Sequence, residues 1–335
     1  MSLFVDILKE LDGFTLQVKI SEESGVLGIL GASGAGKSMT LGCIAGLIKP
    51  TSGKIVLNGR TLFDSEMHIN LPPQKRNIGY LFQSCALFPN MTLLQNVGAG
   101  VKDKNRKGEL CEKYIKLLQL GGCENRYPSQ LSGGQKQRAA LARCLAAEPE
   151  LLLLDEPFSA LDTMLKNDIE DEFLPLLNAF NGNVLYVSHN LQELYKASSR
   201  LCLLHGGNVV ECGDTRKLFS APHYVVSARL FGCRNFIPLS KTEQGVYSDV
   251  LNINIPNKEG DFVGIYEKNL HVISENTAYI KGQVIAKICL PNKTILRIAQ
   301  DVGALYATDT ANSPYQIGDI VGLSFDEKDI FVLKA

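Results

Sequence analysis

Three short stretches of this chain hold polar and charged side chains at spacings that suit phosphate chemistry. "GASGAGKS", residues 31–38, fits the pattern G-x-x-x-x-G-K-[ST] and lies between an apolar run, "GVLGIL", and a stretch with helical spacing, "SMTLGCIAGLI". Its glycines let the backbone wrap closely, so that N–H groups and the start of the following helix face phosphate oxygens. The expected nucleotide-binding run is Gly31, Ala32, Ser33, Gly34, Ala35, Gly36, Lys37, Ser38 and Met39. Lys37 is expected to reach the β- and γ-phosphates, and Ser38 to offer its hydroxyl to Mg²⁺.

The second stretch, "LLLLDEPFSALD" at residues 151–162, is an oily strand followed by Asp155, Glu156 and Asp162. Unpaired buried carboxylates are costly, so acids at such a place meet a metal, a cation or solvent. Taken alone, Asp-Glu at a strand end is equally an ordinary loop start. Beside a phosphate loop, Asp155 suits the Mg²⁺ shell through water, and Glu156 suits a general base that orients and deprotonates an attacking water. The third stretch, "LSGGQKQR" at 131–138, places Ser132, Gly133, Gly134 and Gln135 at a helix start, where free N–H groups and the positive dipole end form a second phosphate site. By itself "SGG" is also a flexible turn. Two phosphate sites in one chain make sense if two copies assemble head to tail, each nucleotide lying between the loop of one and the helix start of the other.

Positioning these residues requires alternating strands and helices. Residues 1–30 read as strands, "KIVLNGRTL" as a strand and turn, residues 106–120 and "GGQKQRAALARCLAAEPE" as helices, "NVLYVS" as a strand and 200–213 as a hairpin. That alternation implies an α/β layered domain with a largely parallel sheet. From about residue 236 the texture changes to short β-rich runs such as "GDFVGIY", "GQVIAKICL", "KTILRIA" and "DIVGLSF", separated by turn residues, which predicts a small all-β barrel.

The whole-chain balance excludes other classes. The 335 residues carry 34 Lys+Arg against 35 Asp+Glu, a formal charge of −1, so no global attraction to nucleic acid is expected. The nine cysteines are scattered without a C-x-x-C pair, which suggests neither a zinc site nor a disulfide framework and fits reduced cytosolic thiols. No apolar run reaches the roughly 18 to 20 residues of a membrane helix, and the N-terminal stretch lacks export-signal features.

In the order "GASGAGKS", "YLFQ", "LSGGQKQR", "LLLLDEP", "SALD" and "VSHN", the chain resembles the ATP-binding cassette (ABC) ATPases that power transporters. The resemblance covers roughly residues 1–235. It implies a P-loop NTPase cassette with a RecA-like core and a helical subdomain at about 84–150, followed by a small OB-like β-barrel over 236–335. It further implies that Gln83 senses the γ-phosphate and Mg²⁺, that His189 contacts the γ-phosphate, and that Ser132 to Gln135 contact ATP across a homodimer whose interface includes Asp162. A lone loop histidine is more often structural; the place of His189 just beyond a strand that follows the Asp-Glu pair reverses that expectation. Many family members stack adenine on an aromatic residue, often Trp. This chain has no Trp, which leaves Phe14 or Phe4 for that contact unless both are core. Leu87, Phe88 and Met91 fall where the helical subdomain receives a transmembrane subunit, although apolar residues at helical spacing are usually core.

One cassette followed by a β domain is similar to importers fed by an extracytoplasmic binding protein and two permease subunits. "VGIYEKNLHVI" resembles the regulatory β domain (TOBE/MOP-like) of such importers, and "LFGCRNFIP" a junction of molybdate-type cassettes. The resemblance therefore implies a peripheral ATPase at the cytoplasmic face of the membrane, serving molybdate import. Sulfate, thiosulfate, tungstate, polyamine, iron and sugar import are in-class alternatives, and a soluble cassette ATPase of translation or DNA repair is the alternative from another class. Residues 276–300 lack the Ser-Ala-Arg-Asn-like run expected of an anion-binding β domain, so regulation by a bound oxyanion and a purely structural β domain both stay open.

Overall fold

The computed structural model describes residues 2–159, 163–178, 180, 182–242, 244–275, 278, 280–300 and 303–335. The chain divides into two compact units, one ending at Thr215 and the other spanning Arg216–Ala335.

The first unit is built on an eleven-stranded sheet. Across it lie Ile69–Asn70, Arg60–Asp64, Ser52–Leu57, Leu3–Leu11, Phe14–Glu22, Asn208–Asp214, Arg200–His205, Gly25–Gly31, Asn183–Val187, Leu151–Asp155 and Ile78–Leu81. The last five of these run parallel to one another, whereas the N-terminal strands pair antiparallel, so the sheet is mixed rather than largely parallel. The residue patterns explain the division. Leu16, Val18 and Ile20 alternate with exposed residues along a strand covered on one face, while Leu151–Leu154 are all buried, as expected of a central parallel strand covered on both.

Register aligns the carboxyl ends of the parallel strands. Asp155 pairs with Val187, Val187's strand pairs with Gly25–Gly31 through Ile29, and Leu154 pairs with Leu81. The phosphate loop, the Asp155-Glu156 pair, His189 and the segment carrying Gln83 therefore all leave the sheet at one edge, where α/β sheets bind ligands.

Helix Lys37–Ala45 follows the phosphate loop and stops at Gly46, whose left-handed backbone (φ 82°) lets its N–H bond back to Cys43. Helices Leu93–Gly98, Lys107–Leu117 and Gly133–Ala146 lie in the segment between strands Ile78–Leu81 and Leu151–Asp155. The last is shorter than its sequence run suggests: Glu148, held out of the helical region by Pro149, adopts φ 44°. Helix Thr163–Asn178, which contains Pro175, has no counterpart among the elements read from sequence. No helix among the described residues is long and apolar enough to cross a membrane.

In the second unit all four β-rich runs are strands. Five strands close into a barrel in the order His271–Ile273, Gly303–Asp309, Lys293–Gln300, Ile280–Leu290 and Ile320–Ser324. Two three-stranded sheets accompany it, and the barrel interior is filled by residues such as Val284, Leu296, Ile298, Leu305 and Val321.

Candidate active site

The phosphate loop leaves its strand with Ala32, Ser33 and Gly34 exposed, so their backbone faces solvent. Gly34 (φ 79°) and Gly36 (φ 101°) occupy conformations that L side chains rarely adopt, and a methyl group on Gly36 would come within 2.5 Å of Leu16. The Lys37 ammonium folds over the loop, donating to the carbonyls of Gly31 (2.8 Å) and Ala32 (3.0 Å). Burial lowers the Lys37 pKa against the charges of Glu156 and Asp155, which raise it. Met39 packs against the core behind the loop.

Asp155, only 5% exposed, ends the oily strand beside this loop and accepts hydrogen bonds from the hydroxyls of Ser38 and Tyr80. Its pKa is raised, chiefly by burial, with the neighbouring Glu156 adding to the rise. Ser38 and Asp155 thus bring together two oxygen donors, one a buried carboxylate, which suits a hard divalent cation such as Mg²⁺.

Glu156 stands at the turn out of the strand with φ 52°, a left-handed conformation that costs roughly 1–2 kcal/mol in a non-glycine residue. The turn is overdetermined: the Glu156 N–H donates to Val187 O (3.0 Å), and its carbonyl accepts from Gln137 Nε2 (3.0 Å) and from the Ser159 hydroxyl (3.1 Å). Its carboxylate is approached from both sides. Gln83 Nε2 lies 3.5 Å from Oε2, and His189 Nδ1 lies 3.2 Å from Oε1. His189 is 69% exposed, so its ring is open to an incoming ligand.

The segment carrying His189 is fixed from below. The Ser188 hydroxyl donates to buried Glu193 (2.7 Å) and accepts from the Asn190 N–H (3.0 Å), Tyr186 donates to Glu193 (3.2 Å), and Asn190 caps helix Leu191–Ala197. Lys166, on helix Thr163–Asn178, pairs with Glu193.

Ser132 is the N-cap of helix Gly133–Ala146 in a reciprocal capping box: its Oγ accepts from Gln135 N–H (3.2 Å), and Gln135 Oε1 accepts from Ser132 N–H (3.0 Å). Gly133, exposed, and Gly134, half-buried, open the first turn. The Phe14 ring lies against the phosphate loop, 3.4 Å from where a Gly36 methyl would sit, and also packs on the core. Phe4 lies within strand Leu3–Leu11. Asp162 lies outside the described residues. Phe88 and Met91 are exposed and Leu87 half-buried.

Four residues that support the site carry no role in the sequence reading. Tyr80 holds Asp155, Gln137 holds the Glu156 turn and Glu193 holds the His189 segment. Arg76, wholly buried, donates to Cys43 O (3.0 Å) and Ile44 O (2.7 Å) at the end of the helix that follows the phosphate loop. Tyr80 lies within "YLFQ", three residues before Gln83, and so carries a local signal, whereas the other three contacts join residues 5 to 33 positions apart with no local pattern.

Comparison with known proteins gives a consistent result. The profile described as ABC transporter matches residues 13–159. The molybdenum import ATP-binding protein ModC of Aliivibrio fischeri is 40% identical over 223 residues, which cover 66% of this chain and 60% of that protein. The Fe(3+) ions import ATP-binding protein FbpC of Rhizobium etli is 32% identical over 351 aligned positions, covering 99% of this chain and 97% of that protein. A dimeric ATP-binding cassette solved in a post-hydrolysis state with ADP and Pi superposes with a TM-score of 0.55 at 28% identity, over 64% of this chain and 99% of the other.

Proposed function

Because this chain belongs to the ABC transporter family, as an import ATP-binding protein, we propose that it hydrolyses ATP at the Lys37–Glu156 site to drive a binding-protein-dependent importer whose solute is molybdate. The observation that carries the catalytic reading is the approach of Gln83 and His189 to the two oxygens of Glu156, next to the phosphate loop.

In this reading the backbone from Gly31 to Met39 cradles the phosphates and the Lys37 ammonium offsets charge on the β- and γ-phosphates. Mg²⁺, held by Ser38, Gln83 and, through water, Asp155, would supply further charge neutralisation to those oxygens. Glu156 orients the attacking water and takes its proton, while His189 polarises the γ-phosphate and Gln83 reports its presence. The reaction is phosphoryl transfer to water, carried by positioning and electrostatics. Phe14, adjoining the loop, is the proposed adenine contact. Ser132, Gly133, Gly134 and Gln135 serve the nucleotide of a second copy, with Asp162 at the homodimer interface.

The partners proposed are two transmembrane permease subunits and an extracytoplasmic binding protein, with the chain held peripherally at the cytoplasmic face of the membrane. The proposed domain limits are 1–235 for the cassette and 236–335 for the β domain. Molybdate is supported by the 40% identical molybdenum relative and by the "LFGCRNFIP" junction. Ferric iron is the second reading, supported by an iron-import relative that aligns along nearly the full chain.

The test is to isolate the protein with its permease in lipid vesicles, add the partner binding protein, and measure ATP hydrolysis with molybdate, tungstate, sulfate, ferric iron or spermidine. Stimulation by molybdate supports the proposal, stimulation by ferric iron alone replaces its solute, and hydrolysis unresponsive to every solute removes the importer reading.

A further inference from the structure

We infer that Cys202 and Cys212 are a peroxide-reactive thiol pair that closes to a cross-strand disulfide. The two residues stand directly opposite each other in the antiparallel hairpin formed by Arg200–His205 and Asn208–Asp214. Directly opposed Cα atoms in an antiparallel pair are about 4.5 or 5.5 Å apart depending on register, and both values fall within the roughly 4.4–6.8 Å that a disulfide spans. Opposed side chains share one face of the sheet, and here the Cys202 thiol donates a hydrogen bond to the Cys212 sulfur. Closure therefore needs rotation of two side chains rather than movement of strands.

The two cysteines differ in the way a reactive and a resolving thiol must. Cys212 is exposed, whereas Cys202 is buried in the sheet core. Arg200 Nη2 lies 3.9 Å from the Cys212 sulfur, and Arg200 is itself fixed by Glu22 (2.8 Å) and the Ser21 carbonyl (3.0 Å). The hydrogen bond from Cys202 and the Arg200 guanidinium hold the Cys212 pKa below the usual thiol value against the opposing effect of burial. Acceptance of that same hydrogen bond by Cys212, together with burial, keeps Cys202 protonated. An accessible thiol with a lowered pKa, placed beside a second thiol, is the arrangement in which a sulfenic acid is captured as a disulfide.

The chemistry balances with hydrogen peroxide as the oxidant. The Cys212 thiolate attacks one peroxide oxygen, the O–O bond breaks, and the departing hydroxide takes a proton to leave as water, giving the sulfenic acid. The Cys202 sulfur then attacks the Cys212 sulfur; the S–O bond breaks and the Cys202 proton leaves with the hydroxyl group as a second water. Two thiols are oxidised to one disulfide and one peroxide is reduced to two waters.

The full chain, fully reduced, is exposed to graded hydrogen peroxide, quenched with an alkylating agent and digested for mass spectrometry. The expected product is a peptide pair linked through Cys202 and Cys212, forming at least about tenfold faster than oxidation of Cys289, which is exposed but faces Thr294 across its hairpin. Cys212→Ala should abolish the link. Cys202→Val, which keeps an apolar core residue, should leave Cys212 as a sulfenic acid that dimedone traps. Oxidation of Cys212 no faster than that of Cys289, or accumulation of the sulfenic acid in the unsubstituted protein without the link, would overturn the inference.

Discussion

His189 Nδ1 lies 3.2 Å from Glu156 Oε1, although the two residues come from different loops, 33 positions apart. The contact follows from sheet register. Asp155 and Val187 are paired neighbours on parallel strands, so the chain leaving each strand emerges at the same level, and Glu156 N–H bonds to Val187 O across that gap. The left-handed backbone of Glu156 then turns its side chain toward the His189 segment instead of continuing the strand. A strained residue held through both its backbone N–H and its carbonyl and met by two polar side chains is what a preorganised site requires.

If Glu156 and His189 act as one unit, their substitutions will not multiply. Glu156→Gln is expected to lower the turnover rate by about 10² to 10⁴-fold while ATP binding persists, and His189→Ala by a similar order. The double variant should be little worse than the more damaging single one, because groups acting on the same step are strongly non-additive. Turnover and fluorescent-nucleotide affinity measured across the four proteins check this; effects that multiply would mean that the two residues act independently.

Asp155 is expected to trade stability for function. Burial raises its pKa, so the folded protein holds its proton to higher pH than the unfolded chain does. That preference stabilises the fold below the ordinary carboxylate value near 3.9 and is lost as pH rises through the raised folded value. At neutral pH the ionised group is therefore a cost. Asp155→Asn keeps an acceptor for Ser38 and Tyr80 and should raise the melting temperature of the nucleotide-free protein at pH 7, with the gain vanishing below about pH 4, while abolishing Mg²⁺-dependent hydrolysis. A lower melting temperature at pH 7 would show that the carboxylate stabilises its surroundings.

What could be read from the sequence was local. The phosphate loop declares itself because its strand, glycines and helix are contiguous, and the oily strand ending in Asp155 because four leucines in a row leave no exposed face. The reach of Gln83 and His189 to Glu156 depends on the order of parallel strands, which hydrophobic pattern alone does not specify. Arg76 was invisible for a different reason. It lies in "PPQKRN", a polar stretch that reads as a surface turn, yet folding buries it completely. Likewise nothing in "SHNLQEL" says that Glu193, rather than solvent, meets Ser188.

Gly34 and Gly36 both have positive φ, but they should not be equally intolerant of a side chain. At Gly34 an added methyl meets nothing within 4 Å, leaving only the backbone penalty; at Gly36 it would also strike Leu16 at 2.5 Å. Gly34→Ala should cost about 1–2 kcal/mol and Gly36→Ala clearly more, with ATP affinity falling in the same order. Thermal unfolding and nucleotide titration of the two variants test the ranking, and equal losses would refute the role assigned to Leu16.

The largest loss of stability is expected at Arg76, far from any nucleotide. Its guanidinium donates to Leu71 O (2.8 Å), Cys43 O, Ile44 O and Asn70 Oδ1 (2.9 Å), with no carboxylate among the partners. Burial brings its pKa down to about 10, leaving it charged at neutral pH. The charge is sustained by these acceptors and by the negative end of helix Lys37–Ala45, whose last carbonyls it caps. Arg76→Met would fill much of the volume but leave buried carbonyls without donors, at a cost of about 3–5 kcal/mol. Arg76→Lys keeps the charge without the planar fork and should fall between the two. Urea unfolding gives the ranking directly, and ATP affinity should decline with it because the capped helix carries Lys37 and Ser38 at its other end. A Met variant as stable as the parent would mean that the four bonds only repay the desolvation of the charge.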